Sequence, residues 1–388
     1  MTASYSLLDL TRYFLRLGTV GFGGPVALVG YMHRDLVVQR QWISEDDYRE
    51  GMALAQLSPG PLAAQLGIYL GYVHYGVLGA TLTGLAFVVP SFFMVVAIGI
   101  AYRLYGGLPW MQAVFYGVGA SVIGIIVVSA WKLTIKSVGK LAPDAIRQNW
   151  LLWVFYLVAG LYTVTAQREE VWIFIAAGLI YMFIKAPPRW ISPGKTPLVL
   201  LFFGGVVWSG ESGILWQIAW FFTEAGAFVF GSGLAIIPFL HNGVVTEFGW
   251  LNEKEFVDAV AVAMITPGPV VITVAFIGYL VAGIAGACVA ALATFLPCYL
   301  FTVIPAPYFK KYAKDASIKA FVDGITAAVV GALAGAVIVI ASRSILDIPT
   351  AVIGVCTALL LISFKKIPEY YIVLASAVIG VFIKTFLT

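Results

Sequence analysis

The chain has 388 residues, of which 61% are hydrophobic and only 11% charged, with a net charge of +4. Soluble domains carry about 25% charged residues, so this composition excludes a water-soluble globular protein. A mean hydropathy of +0.96 leaves a multispanning membrane protein embedded in a lipid bilayer, with no nucleic-acid partner expected.

The N-terminus has no positively charged start followed by a small-residue cleavage site, and it reads as retained. Asp9, Arg12 and Arg16 then share one helix face, at i, i+3 and i+7. Arg12 is close enough to the cytoplasmic end to snorkel. Arg16 lies deeper, and it stays open between an anion ligand and an ion pair with Glu224. Phe22-Gly23-Gly24-Pro25 comes next, followed by a polar stretch from His33 to Glu50. In that stretch Ser44 caps a helix that opens with Glu45, Asp46 and Asp47. Residues 23–75 contain no clean apolar run of the length a bilayer crossing needs, about 20 residues. Such runs begin at Gly79–Ala101 and continue with Ala113–Trp131, Trp150–Thr165, Ala282–Val303 and Ala327–Ala341. Cys288, Cys298 and Cys356 lie in apolar segments without metal-ligand spacing and read as packing residues, so no metal or cofactor is expected.

The chain repeats itself 208 residues later: Phe22-Gly23 recurs as Phe230-Gly231, His33 as His241, Trp42 as Trp250, and Pro59-Gly60-Pro61 as Pro267-Gly268-Pro269. After one lost residue the register continues, pairing Pro90 with Pro297 and Gly117 with Gly324. A duplicated apolar half with matched helix breakers points to a transporter built around a pseudo-two-fold axis. The loops assign opposite orientations to the halves. Arg103 stands alone after the Gly79–Ala101 run, and the next loop carries Lys132, Lys136, Lys140 and Arg147. In the second half the order is reversed: Lys310, Lys311, Lys314 and Lys319 come first and Arg343 alone comes second. The positive-inside rule then places matching loops on opposite membrane faces.

Lys185, Arg189, Lys195, Lys365 and Lys366 fall inside by the same rule. The expectation is therefore an all-α integral membrane protein of two inverted-topology repeats. It has about thirteen transmembrane segments, counting broken or re-entrant helices. Residues 1–196 form the first repeat, 197–212 a linking transmembrane segment and 213–388 the second repeat, with the N-terminus cytoplasmic and the C-terminus outside.

Two prolines around a glycine end one helix and free its last carbonyls, and Pro61 suits the first position of the next helix. The amides of Leu62 and Ala63, and of Val270 and Val271 after Pro269, would then face outward from a helix N-terminus. Helix N-termini bind anions, and in inverted-repeat transporters they point at anionic substrates. Irregular backbone at membrane depth is tolerated where it is buried in protein or lines a wet cavity.

These motifs resemble the chromate transporter family in its long-chain, two-domain form. Phe22-Gly23-Gly24-Pro25, Trp42 with its acidic helix start, Pro59-Gly60-Pro61, Gly71-Tyr72 and Pro90 are similar to its first half. Phe230-Gly231-Ser232-Gly233, Trp250, Pro267-Gly268-Pro269, Gly278-Tyr279 and Pro297 are similar to its second. The resemblance implies a carrier of the bacterial inner membrane that exports chromate on the proton motive force, with sulfate linked to some members. It leaves a homodimer open.

A buried tetrahedral dianion needs several hydrogen-bond donors and some positive charge. Ser58, Gln65, Thr266 and Thr273 offer side-chain donors beside the breaks, with capping or back-bonding as the alternative for each. Arg16 and Arg34 offer charge. Proton coupling needs a group whose charge can change: Glu224 comes first, then the repeat-matched Glu50 and Asp258, then His33 and His241. No Walker loop, His-Glu-x-x-His or Gly-x-Ser-x-Gly appears, so an ATP-driven pump is not expected. The alternatives are a sulfate or other oxyanion permease, a passive anion channel and, more remotely, an enzyme acting on lipid-linked substrates.

Overall fold

The computed structural model describes residues 5–22, 24–166, 170–188, 213–228, 233–309, 315–345, 347–364 and 369–386. Gly23, Phe230, Gly231, Ser232, the link at 197–212 and the loop cations Arg189, Lys195, Lys310, Lys311, Lys314, Lys365 and Lys366 lie outside the described residues. The described secondary structure is helical throughout. Among the described residues, five helical stretches are long and apolar enough to cross a membrane.

The helix starts follow from local chemistry. α1 (Leu7–Val20) opens on a capping box between Ser6 and Asp9. α2 (Gly24–Met32) runs into a wide π-helical turn, His33–Gln39. α3 (Glu45–Leu57) is capped by Ser44, and α11 (Glu253–Ile265) by Asn252 with Glu255, as the acidic patterns require. A second π-helical turn, Asn242–Glu247, precedes α11 at the matching place, after α9 (Ile214–Phe228) and α10 (Ile237–His241).

The first third of each half, where broken or re-entrant segments are expected, holds a helical hairpin. α3 doubles back on the start of α4 (Leu62–Tyr105). A Cβ at Gly51 would run into the Tyr69 ring, and Asp47 stands 4.0 Å from His74. Ser58–Pro61 is therefore the tip of a helical hairpin. Gly76, at φ 58°, then reverses α4, so that Gly71 packs on Gly79 and Thr83 donates to the Gly67 carbonyl. The second half repeats this with α12 (Thr273–Val303), which turns at Gly283 (φ 63°) and packs Gly278 on Gly286. Tyr102 bonds to Asp258 and packs edge-on against Phe276, which puts the two arms around Pro267 at one height. α3 has 13 residues. At 1.5 Å per residue such an arm reaches about 20 Å, short of the roughly 30 Å hydrocarbon layer.

The remaining helices interlock the halves. α5 (Pro109–Ser137) packs against α14 (Ile348–Ser363) and α15 (Glu369–Phe386). α13 (Ala316–Ser344) packs against α7 (Trp150–Ala166) and α8 (Val171–Lys185). Glycines make these approaches possible, as small residues do between membrane helices. Gly117 lies on the Ser376 carbonyl and Gly380, and its repeat partner Gly324 lies on the Ala177 carbonyl and Gly178. A short helix, α6 (Pro143–Gln148), links α5 to α7.

Candidate functional site

The two hairpin tips are held by the opposite halves. A Cβ at Gly60, whose φ is 141°, would come within 3.1 Å of Cys298 Sγ, next to Pro297 in α12. A Cβ at Gly268, at φ 100°, would overlap Ser91 Oγ, next to Pro90 in α4. Each tip therefore rests on the proline step of the other half's long helix. The tips belong to different apolar clusters, Leu62 and Ala63 to one and Val270 and Val271 to the other.

The bonding at the tips is unequal. At the first, Gln65 Nε2 donates to the Pro59 carbonyl at 2.7 Å. The Gln65 side chain is 0% exposed, and its Oε1 has no hydrogen-bond partner among the described residues. At the second, Ser91 Oγ donates to the Pro267 carbonyl at 2.8 Å and to the Gly18 carbonyl at 3.2 Å. The Gly268 amide donates to the Gly21 carbonyl at 3.0 Å. Pro61 and Pro269 both precede the first helical residue rather than filling it. Thr266 and Thr273 bond back to the Val262 and Val270 carbonyls, so the back-bonding alternative holds for both.

Beside the second tip lies a cavity lined by Gly21, Phe22, Thr266, Gly268, Val270, Glu369 and Tyr370 among others. Phe22 thus reaches the tip of the opposite half, and its ring lies 4.9 Å from that of Tyr370. Gly233 packs on Val270 and Val271 of its own half, while Gly24 begins α2.

The charged candidates separate. Arg16 is exposed on α1, and the expected pair with Glu224 does not form: the charged neighbours of Glu224 are Glu247 and Glu170. Arg34 is exposed and donates to Asp35 at 2.7 Å, a surface position. Glu50 accepts from Tyr69. Asp258 is 2% exposed and accepts from Tyr102 Oη at 2.7 Å across the two halves.

The histidines are matched in geometry as well as in sequence. His33 Nε2 lies 3.0 Å from Glu45 Oε2, and His241 Nε2 lies 2.7 Å from Glu253 Oε2. The hydrogen bond from His33 holds the Glu45 carboxyl below its ordinary range. The first pair is open, with His33 38% exposed, whereas His241 is 6% exposed and Arg343 joins Glu253 at 2.6 Å. Sequence reasoning named neither Ser91, Tyr102 nor Glu369 and gave Arg343 no such partner. The signal for Ser91 was its place after the repeat-matched Pro90.

The chain is a helical, multi-pass membrane protein in which two matched proline-glycine hairpins pack against long apolar helices. The chain belongs to the chromate transporter family, whose profile matches residues 8–182 and 216–381. It is 63% identical to the chromate transport protein of Cupriavidus metallidurans over 97% of this chain and 93% of that one. It is 58% identical to the probable chromate transport protein of Synechococcus elongatus, over 97% and 96% respectively. A chromate transport protein of Pseudomonas aeruginosa is 28% identical over 89% of this chain and 84% of its own. No solved structure matches the chain. The relatives are transport proteins, and this chain is a transporter and not an enzyme.

Proposed function

We propose that the protein exports chromate across the bacterial inner membrane by exchange against protons, with the oxyanion bound at the hairpin tips. The observation that carries this reading is the paired tip geometry. Each half brings a positive-φ glycine between two prolines against the other half's long helix. The helix that follows each tip begins with amides that have no acceptor within the helix, and its dipole favours an anion there. Exchange of tip contacts between halves is what a two-fold inverted repeat of residues 1–196 and 213–388 requires, joined through a spanning segment at 197–212. With about thirteen crossings, that arrangement leaves the N-terminus cytoplasmic and the C-terminus periplasmic.

Among the carboxylates read from the sequence, Asp258 is the best proton carrier. It is buried, and its bond to Tyr102 couples hairpin two to the long helix of half one. The test is labelled chromate accumulation in inside-out vesicles, with and without a protonophore and with excess sulfate as competitor. Uphill accumulation that collapses with the proton gradient is expected. Mere equilibration of chromate would make the protein a channel, and sulfate uptake without chromate uptake would make it a sulfate permease.

A further inference from the structure

One wall of the cavity at hairpin two comes from neither hairpin nor first helix. Glu369 and Tyr370, the first turn of α15, close it opposite Thr266, Gly268 and Val270. The position is imposed by packing. Gly117 of α5 receives the Ser376 carbonyl and Gly380 in close contact, and the Phe22 ring just after α1 packs against that of Tyr370.

Glu369 makes no hydrogen bond or ion pair among the described residues, and the charge acting on it is that of Lys132 from α5. From the other elements packed here, α11 presents Ala263, Met264 and Thr266, and α1 presents Gly21 and Phe22. α2 brings the Tyr31 phenol near Tyr370. The cavity measures about 20 Å³, room for about one water. A four-oxygen anion does not fit unless a wall group moves. Like charges at such a separation also repel strongly away from bulk water, so an ionised carboxylate and a dianion exclude each other.

We propose that Glu369 is the gate carboxylate of the substrate site. Ionised, it fills the space and field that the anion needs at the hairpin-two tip, with Lys132 as counter-charge. Protonated, it yields to the anion. Binding of each dianion there takes one proton from solution onto the Glu369 carboxyl, and release of the anion returns it on the side where the anion leaves, so Glu369 sets affinity and is not the group that carries protons in the opposite direction. Asp258 lies further along the hairpin and has no part in this step. The inference rests on the reading that the oxyanion binds at the hairpin tips.

The experiment is equilibrium chromate binding to the purified protein, wild type and Glu369→Gln, from about pH 5 to about pH 8, upward from the ordinary carboxylate range. Chromate itself takes up a proton in this range, so the readout is the ratio of variant to wild-type affinity at each pH, in which that step cancels. The ratio should rise with pH, approaching about tenfold per unit above the titration of Glu369. Glu369→Asp should return it toward one. A flat ratio overturns the gate, as does loss of chromate binding by Glu369→Gln at every pH. Gly268→Ala separates the two ideas: if it binds chromate like the wild type, the tip reading itself fails, whatever Glu369 does.

Discussion

The two hairpin tips share a backbone and differ in what holds them. Tip one is tied within its own half: Gln65 reaches back to the Pro59 carbonyl, and the contact with Cys298 is packing. Tip two is tied to the other half by two hydrogen bonds, from Ser91 to the Pro267 carbonyl and from the Gly268 amide to the Gly21 carbonyl, and Ser91 also reaches the Gly18 carbonyl of α1. A tip anchored locally can shift against its neighbour without breaking hydrogen bonds, whereas a tip anchored across the interface moves with α1 and α4 as one body. Duplication supplied the geometry twice, and the side chains that hold the two copies have diverged.

The largest effect expected from this contrast is at the two glycines. Gly268→Ala would force a Cβ into Ser91 Oγ at a positive φ. Such a strained position costs on the order of 1–3 kcal/mol, and chromate transport per inserted protein should fall by at least about tenfold. Gly60→Ala is strained as well, at φ 141°, but its Cβ would meet the Gln65 side chain of its own half and not the anchor from the other half, so its loss should be smaller. Equal losses, or the reverse order, in vesicle uptake would remove the distinction between the tips.

Next comes Asp258→Asn. A neutral amide keeps a partner for Tyr102 but cannot carry charge, so uphill accumulation should disappear while exchange of chromate for chromate persists. Retention of protonophore-sensitive accumulation would exclude Asp258 as the proton carrier. Ser91→Ala should follow. It leaves the buried Pro267 and Gly18 carbonyls short of a donor, at about 1–3 kcal/mol. Cys298→Ala loses only packing, about 1 kcal/mol, and thermal unfolding in detergent would rank the two.

Much of this was readable from residue order. The repeat, the caps at Ser44 and Asn252 and the paired Pro-Gly-Pro elements are local, so one chain of letters carries them. The reversals at Gly76 and Gly283 were not readable, because each glycine stands at the start of an apolar run, where hydropathy cannot distinguish a turn from the entry of a straight span. Ser91 and Pro267 lie 176 residues apart, and contacts at that range leave no periodicity. Glu369 had no equivalent in the repeat register used to find the other sites, since the last helices of the two halves are offset differently. The ion pair left open for Arg16 and Glu224 does not form, since residues 208 positions apart correspond in the repeat but need not touch across its axis.

The smallest effect contrasts the two histidine–acid pairs. Arg343 closes the buried pair by bonding Glu253, whereas Arg49 bonds Glu45 from a side chain that is 73% exposed. An exposed pair of the second kind contributes about 0–1 kcal/mol, so Arg49→Ala should leave stability and transport nearly unchanged. Arg343→Ala strips a half-buried carboxylate of a charged donor, at about 1.5–3 kcal/mol, and should lower thermal stability measurably. The pH dependence sharpens this further. The Glu45 carboxyl is held low by His33, so the contribution of that pair is present above the ordinary carboxylate range and is lost as pH falls through the depressed value. If Arg49→Ala proved as costly as Arg343→Ala, the two helix mouths would be equally closed and the difference between the halves would be confined to the tips.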